Sequence, residues 1–421
     1  MNNFKNTNSN KRYYTLDYFY KTKFKSKVFK VSLNAGFSCP NIDGTVGFGG
    51  CIYCSTKGSG DYAGNVNDDL VKQFNDIKDK LDKKWPNSKY IGYFQAHTNT
   101  YAPIDILKEK YETILKLNNV VGLTVATRPD AISDECLDYL EELSKRTFLT
   151  IELGLQTIHE KTTKLINRCH TLECFDEMVK KLKNRNINVV VHIINGLPYE
   201  TKDMMLETIK HLNTLNIDGI KIHMLHIIKN TKLAKIYEDS PFHVLTKDEY
   251  VDIVCDQIEL LSPNIVVNRI TGDAKLDDLI EPTWTIKKVS VINDIDKELE
   301  KRNTYQGFML DINNKIKQII NKRIRNNDII INDKFDNINE YFNVDVIILN
   351  NKFDINKYQG KISLILINHD IDDNLLNIYL KLLNKKGTIL ILSNNLNKYL
   401  KYNITYYNIN KQTLIEFNNK T

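Results

Sequence analysis

Three of the chain's seven cysteines fall in one short stretch, GFSCPNIDGTVGFGGCIYCSTKGSG, with seven of its seventeen glycines. Eleven residues separate Cys39 from Cys51, and two separate Cys51 from Cys54. Thiolates this close together are metal ligands by type, and their number restricts the metal. A structural zinc site closes with four ligands, usually two Cys-x-x-Cys knuckles or cysteine with histidine. Here there is one knuckle and one further thiol. Cys136, Cys169, Cys174 and Cys255 lie on or beside expected helices. Three thiolates leave one metal position open, the donor set of a catalytic iron–sulfur cluster. Gly44, Gly47, Gly49 and Gly50 let the backbone turn tightly around such a group. Successive N–H groups on such a loop form an anion-binding nest. The competing readings are a reduced, merely packed loop and a zinc- or RNA-binding module without redox chemistry.

The elements that position this loop alternate. Strand-like runs SKYIGYFQAHTN, VVGLTVATRPD, TFLTIELGLQT and INVVVHIINGLP precede expected helices over 103–117, 133–144, 160–166 and 201–212. IDGIKIHMLHII and NIVVNRITGD follow. This alternation predicts βαβ units and a parallel sheet in an α/β fold, a partial or complete (β/α) barrel. The near-continuous β-branched runs suggest strands covered on both faces. Functional groups then belong at the C-terminal strand ends. Composition changes near residue 300: all eight prolines and seven cysteines lie before it, while 302–421 holds twenty-five asparagines and three glycines. The domains are accordingly a basic arm (1–30), a barrel (31–301) and a small Rossmann-like α/β unit (302–421). That last unit has expected helices over 312–324 and 372–383 and strands in NDIIIN, NVDVIILN, KISLILIN, GTILILS, ITYYNI and TLIEF.

At 421 residues there is room for two cores. The longest apolar runs are strand-sized, so no membrane span is expected, and the N-terminus has no signal-peptide core. Seven cysteines without a regular framework fit a reducing compartment, the cytoplasm. The net charge of +6 is uneven: +7 in residues 1–30, +6 in 302–421 and −7 between. Basic ends interleaved with aromatics suit a polyanion such as RNA, although a lysine-rich solvated surface gives the same pattern.

The segment KVSLNAGFSCPNIDGTVGFGGCIYC closely resembles the cluster loop of the YhcC/YtqA-like radical S-adenosylmethionine (SAM) proteins, relatives of the Elongator catalytic subunit and the oxygen-independent coproporphyrinogen oxidases. The long first gap is that family's mark. YFQAHTNTYAP, VATRPD, ELGLQTIHEKTTKLINRCHT, HIINGLPYET, HMLHIIKNTKLAKIY and RITGDAKLDDLIEPTW continue the resemblance in order, over about residues 12–306. It implies that Cys39, Cys51 and Cys54 hold a [4Fe–4S] cluster whose open iron takes SAM, cleaved by one electron to a 5′-deoxyadenosyl radical.

The same resemblance implies SAM contacts from Gln95, His97 and Thr98 in FQAHTNT, where relatives carry a glycine-rich turn. Glu152 and Gln156 would meet the ribose, and Arg168 the SAM carboxylate. His192, Asn195 and Gly196 would lie near the adenine. The family usually has glycine where Cys169 stands. His223, Arg269, Thr271 and Asp273 become substrate candidates, and a joint metal site of His223 with His226 is not expected, since a strand would turn them to opposite faces. The implied partners are tRNA and an electron donor such as flavodoxin or ferredoxin, with no membrane and no DNA. The implied reaction is at the wobble uridine, 5-carboxymethylaminomethyl-uridine toward 5-aminomethyl-uridine; a small-molecule or protein substrate is the alternative. Residues 302–421 resemble a YtqB-like methyltransferase stripped of its glycine-rich SAM loop, and so a degenerate module.

Overall fold

The computed structural model describes residues 4–311, apart from 5, 8, 57, 59 and 61, and separate stretches between 329 and 418. The chain divides into two compact units, Met1–Gly307 and Phe308–Thr421.

The first unit begins with helix α1 (Leu16–Phe24), strand β1 (Val28–Leu33) and, after the cysteine loop, α2 (Leu70–Asp82). Strand and helix then alternate through β2 (Lys89–Phe94), α3 (Ile104–Leu115), β3 (Val120–Thr127), α4 (Asp134–Arg146) and β4 (Phe148–Gln156). Next come α5 (Glu160–Leu165), α6 (Leu172–Asn184), β5 (Asn188–Asn195), α7 (Lys202–Thr214) and β6 (Gly219–Met224). The unit finishes with β7 (Ile227–Ile228), α8 (Lys232–Asp239), α9 (Lys247–Leu260), β8 (Val266–Arg269), β9 (Leu279–Glu281) and α10 (Lys288–Arg302). Side-chain caps start many of these helices: Asp69, Ser133, Thr171, Thr201, Thr231 and Thr246 each accept a first-turn N–H.

Seven strands form one parallel sheet in the order β1-β2-β3-β4-β5-β6-β8, a curled half-barrel of the expected α/β class. Its outward residues are apolar and lie under the helices: Leu123, Val125, Ile151, Leu153, Val189, Val191, Ile220 and Ile222 are all buried in one core. The inward residues differ from the expectation of strands apolar on both faces. In β4, Thr150, Glu152, Gly154 and Gln156 alternate with Ile151, Leu153 and Leu155. The half-barrel is lined with polar groups where a closed (β/α) barrel packs branched aliphatics.

Residues 10–27 do not form a free basic arm. The Val267 N–H donates to the Tyr14 carbonyl (2.8 Å), and Thr15 bridges Val267 in parallel, so the segment covers the free side of β8. Tyr20 is buried against Val28 and Ile91. Lys21 and Lys27 both pair with Asp17 (2.7 and 2.5 Å), Lys11 pairs with Asp296, and Lys30 turns into the half-barrel. Much of the arm's positive charge is thus met within the fold.

In the second unit, β10 (Ile329–Asp333), β11 (Asp345–Ile348), β12 (Ile362–Ile367), α11 (Asp373–Leu382), β13 (Leu383–Ser393), β14 (Ile404–Ile409) and β15 (Gln412–Asn418) give the sheet order β11-β10-β12-β13-β15-β14. It is parallel except for β15, antiparallel to both β13 and β14. Strand order reverses at β10, as in a doubly wound sheet. The expected helix over 312–324 and the loop after β10, where a cofactor would sit, lie outside the described residues.

Gln306 fastens the N-terminal segment. Its Oε1 accepts from the Tyr14 N–H (2.8 Å), and its Nε2 donates to the Ser262 and Ile265 carbonyls (2.7 Å each). Gln306→Ala leaves these groups without their partner and should lower unfolding free energy by about 2–4 kcal/mol in urea titration.

Candidate active site

The cysteine loop runs from β1 to α2 and is sewn to several neighbouring loops. The Thr98 N–H donates to the Ser38 carbonyl (3.1 Å), His97 to Gly58 (2.8 Å), Ile52 to Ile166 (3.1 Å) and Leu233 to Ile52 (2.9 Å). Asn41 Nδ2 donates to the Asn167 carbonyl (2.6 Å), and Asn167 Nδ2 returns a bond to Gly50 (2.8 Å). Gly49 and Gly50 have φ of 71° and 72°, conformations that favour glycine. A Cβ on Gly47 would strike Asn41 and Cys169, and one on Gly58 would strike the His97 ring.

Cys39, Cys51 and Cys54 are half-buried and form no disulfide. Burial pushes the Cys51 thiol up, while Arg128 pulls it down. Arg128 was not among the sequence candidates. It is held as a fork on Asp130 (2.9 and 2.7 Å), and its charge acts on both Cys39 and Cys51. Asn41 Oδ1 is buried without a partner. Among the described residues no three His, Cys, Asp or Glu side chains converge as on a single ion. Three thiols on a glycine-shaped loop, within the field of Arg128, have the donor number of an iron–sulfur cluster that keeps one iron position open.

The strand-end candidates divide. Gln95, His97 and Thr98 follow β2 beside the loop, with His97 at φ 59° and its pKa lowered by burial. Gln156 ends β4 at φ 62°. Gly196, at φ 82°, turns the chain after β5. Arg168 was expected to meet a ligand carboxylate but is a fully buried strut. It donates to the carbonyls of Leu155, Thr157 (2.7 Å) and His170 (2.9 Å). The Asn195 side chain is likewise taken: it exchanges two hydrogen bonds with Gln257 on α9 (2.8 and 2.9 Å). Arg128, held on Asp130, is a guanidinium whose charge acts on Cys39 and Cys51.

Glu152 is the largest displacement from expectation. It sits in the middle of β4, not at the strand end, and its side chain is 0 % exposed. Oε1 accepts from Lys30 Nζ of β1 (2.6 Å), and Oε2 from Lys221 Nζ of β6 (2.6 Å) and His192 Nε2 of β5 (3.1 Å). Strands β1, β4 and β6 are not sheet neighbours, so these bonds cross the concave interior. Lys221 also donates to Tyr93 Oη (2.9 Å), and the His223 ring stacks on His192 at 5.4 Å. Burial opposes ionisation, but Lys221, Lys30 and His192 hold the Glu152 carboxyl well below the usual range. Burial, then the charges of Lys30 and Arg269, lower Lys221 to about 7 against the pull of Glu152. Burial and Lys221 bring His192 to about 4, so at neutral pH it is an uncharged imidazole.

Arg269 and Asp273 pair at 3.3 Å, and Asp273 also meets Lys288 (2.8 Å). Thr271 is buried between them in sequence. His226 packs by Gly272; its Nε2 is buried and unpartnered, and burial lowers its pKa to about 4.

Comparison with known proteins places this arrangement. The radical SAM superfamily model matches residues 45–212, and the radical SAM C-terminal domain model matches 217–301. The first match begins after Cys39, where the long gap departs from the common spacing. YtqA of Bacillus subtilis (strain 168) is 52% identical over 306 residues, 73% of this chain and 95% of that protein. The chain belongs to the YhcC/YtqA-like family of radical SAM proteins, whose superfamily membership implies SAM and an iron–sulfur cluster. The tRNA uridine(34) acetyltransferase of Methanocaldococcus infernus is 23% identical over 185 residues, 43% of this chain and 34% of that protein. The solved structure of the archaeal Methanocaldococcus infernus Elp3 with an N-terminal deletion shares the fold: TM-score 0.52 and 18% identity, over 67% of this chain and 64% of that one. Among the described residues no helix is long and apolar enough to cross a membrane.

The interior lysine has a thermodynamic signature. The unfolded chain keeps Lys221 at its ordinary 10.5 and the folded protein at about 7, so between these values the unfolded state binds more protons and stability rises with pH. The stability difference between wild type and Lys221→Met, followed by urea unfolding, should therefore shift in favour of wild type between pH 7 and 10, by at most about 1.4 kcal/mol per unit. A difference that does not vary with pH would contradict the assignment.

Proposed function

We propose that this protein is a [4Fe–4S]-dependent radical SAM enzyme that acts on the wobble uridine of tRNA, taking 5-carboxymethylaminomethyl-uridine toward 5-aminomethyl-uridine. The observation that carries the chemistry is the three-thiol loop in a chain belonging to the YhcC/YtqA-like family. When bound, the cluster supplies the electron that cleaves SAM to a hydrogen-abstracting radical. Cys39, Cys51 and Cys54 would hold it, with Arg128 offsetting thiolate charge and the hydrogen bonds to Asn41, Thr98 and Ile52 fixing the loop. Gln95, His97, Thr98, Gln156 and Gly196 are the residues this reading gives to SAM, and the concave sheet face keeps water from the reacting carbon. The tRNA substrate is supported by the uridine(34) activity named for the archaeal relative and by the +6 net charge of residues 302–421. A flavodoxin or ferredoxin would serve as donor, and the second unit would act as a degenerate, non-catalytic methyltransferase-like module.

Two measurements test this. Anaerobic reconstitution with iron and sulfide should give a broad visible absorption that disappears in the Cys39→Ala/Cys51→Ala/Cys54→Ala variant; retention of one zinc per chain instead would overturn the cluster. Nucleoside mass spectrometry of tRNA incubated with reconstituted protein, SAM and reductant should show loss of the carboxymethyl-bearing nucleoside. Unchanged wobble nucleosides, or tRNA affinity indifferent to salt, would remove tRNA as the substrate.

A further inference from the structure

A concentration of charge inside the first unit lies on the concave face of the sheet. Three cations, Lys30, Lys221 and Arg269, face a single interior carboxylate, Glu152. The next acid, Asp273, is shared between Arg269 and Lys288. The histidines leave this balance unchanged, since burial and the neighbouring cations keep His192 and His223 neutral. A buried ion cluster adopted for stability alone would balance its charges, because an unmatched cation in the interior costs several kcal/mol and apolar side chains of similar volume do as well or better.

Exposure of the side chains is graded: Glu152 is 0 %, Lys221 7 %, Lys30 14 %, His192 25 % and Arg269 38 %. The cluster is sealed at Glu152 and opens toward Arg269. Two polar atoms of the same face are buried and unpartnered, His223 Nε2 and Thr124 Oγ1. The surplus cations and these orphaned atoms lack an anion with further hydrogen-bonding capacity.

We propose that the concave face is a receptor for a carboxylate group of the substrate, with Lys221 and Arg269 as its two cationic walls and His223 as an added hydrogen-bonding group. The proposal rests on the wobble-uridine reading for the identity of that carboxylate, the end of the carboxymethylamino substituent, but the receptor itself is defined by the side chains. Glu152 positions the site: it fixes Lys30 and Lys221, and Arg269, which shares Asp273 with Lys288, supplies positive charge to spare. An aminomethyl product, which has no carboxylate, would lose this contact and leave.

The test uses the full chain and labelled anticodon stem-loops carrying 5-carboxymethylaminomethyl-uridine, 5-aminomethyl-uridine or unmodified uridine. Wild type should bind the first about tenfold or more tightly than the second, the gain expected of a charge-assisted contact. Lys221→Met and Arg269→Gln should each abolish that preference while keeping affinity for the unmodified stem-loop, and Lys221→Arg should restore part of it. A preference undiminished in both variants overturns the proposal. A second arm needs no RNA: acetate, but not isosteric acetamide, should raise the unfolding temperature of wild type saturably and leave both variants unmoved. If acetate behaves so while the stem-loops are not distinguished, the receptor stands and the wobble reading fails. If acetate and acetamide act alike on wild type, the receptor fails whatever the substrate. Arg269, at the open side, provides a variant that need not disturb the interior fold.

Discussion

One carboxylate holds together the interior on which the rest of the first unit depends. Glu152 reaches from β4 to β1 on one side and to β5 and β6 on the other. The helices outside the sheet exclude water from its convex face by ordinary apolar packing. On the concave face α1 packs Phe19, Tyr20 and Phe24 against Val28, Ile91 and Phe148, and beyond this apolar cluster the interior is polar. Two charged bonds that span non-neighbouring strands, Lys30–Glu152 and Lys221–Glu152, tie the curled sheet together in a medium where each is stronger than in water. The cost is a set of ionised groups out of solvent, and the lowered pKa of Lys221 records how incompletely that cost is offset.

The cysteine loop depends on the same frame from the other end. It has little regular structure of its own, and its shape comes from backbone bonds to residues 97–98, 166–167 and 233, each presented by an element that follows a strand of the sheet. Glycines at positive φ make the close approaches possible, and small neighbours would not replace them at Gly58, where the His97 ring lies against the backbone. Loop and interior are thus two outlets of one scaffold: the strands end at the first and line the second.

Much of this was legible in the sequence. The thiol spacing, the strand–helix alternation and the second unit's strands carry local signals, and the helices over 104–115, 134–146, 160–165 and 202–214 fall within a residue or two of the expected spans. The interior cluster was not legible. Lys30, Glu152, Lys221 and Arg269 are distant in sequence and share no motif; only the register of the strands brings them to one face. The reading of the strands as near-continuous β-branched runs passed over the period of two in TFLTIELGLQT, because glycine and threonine blur the alternation. Arg168 and Asn195 stand in segments with genuine functional resemblance, yet their side chains satisfy buried carbonyls and an amide, something the type of residue does not reveal. Arg128 was hidden for the opposite reason, since RPD reads as a turn and its closeness to the thiols arises from the neighbouring strand ends.

The N-terminal segment has a consequence of another kind. An open half-barrel has two unpaired edges, and an unpaired edge of parallel β-structure is a template for a strand from another molecule. By laying Tyr14 and Thr15 along β8, the chain removes one of these templates with its own backbone, before α1 and β1 continue into the sheet. Colloidal solubility and the integrity of the catalytic scaffold are therefore linked through a few residues that touch no ligand, and the beginning of the folded unit acts as its guard against self-association.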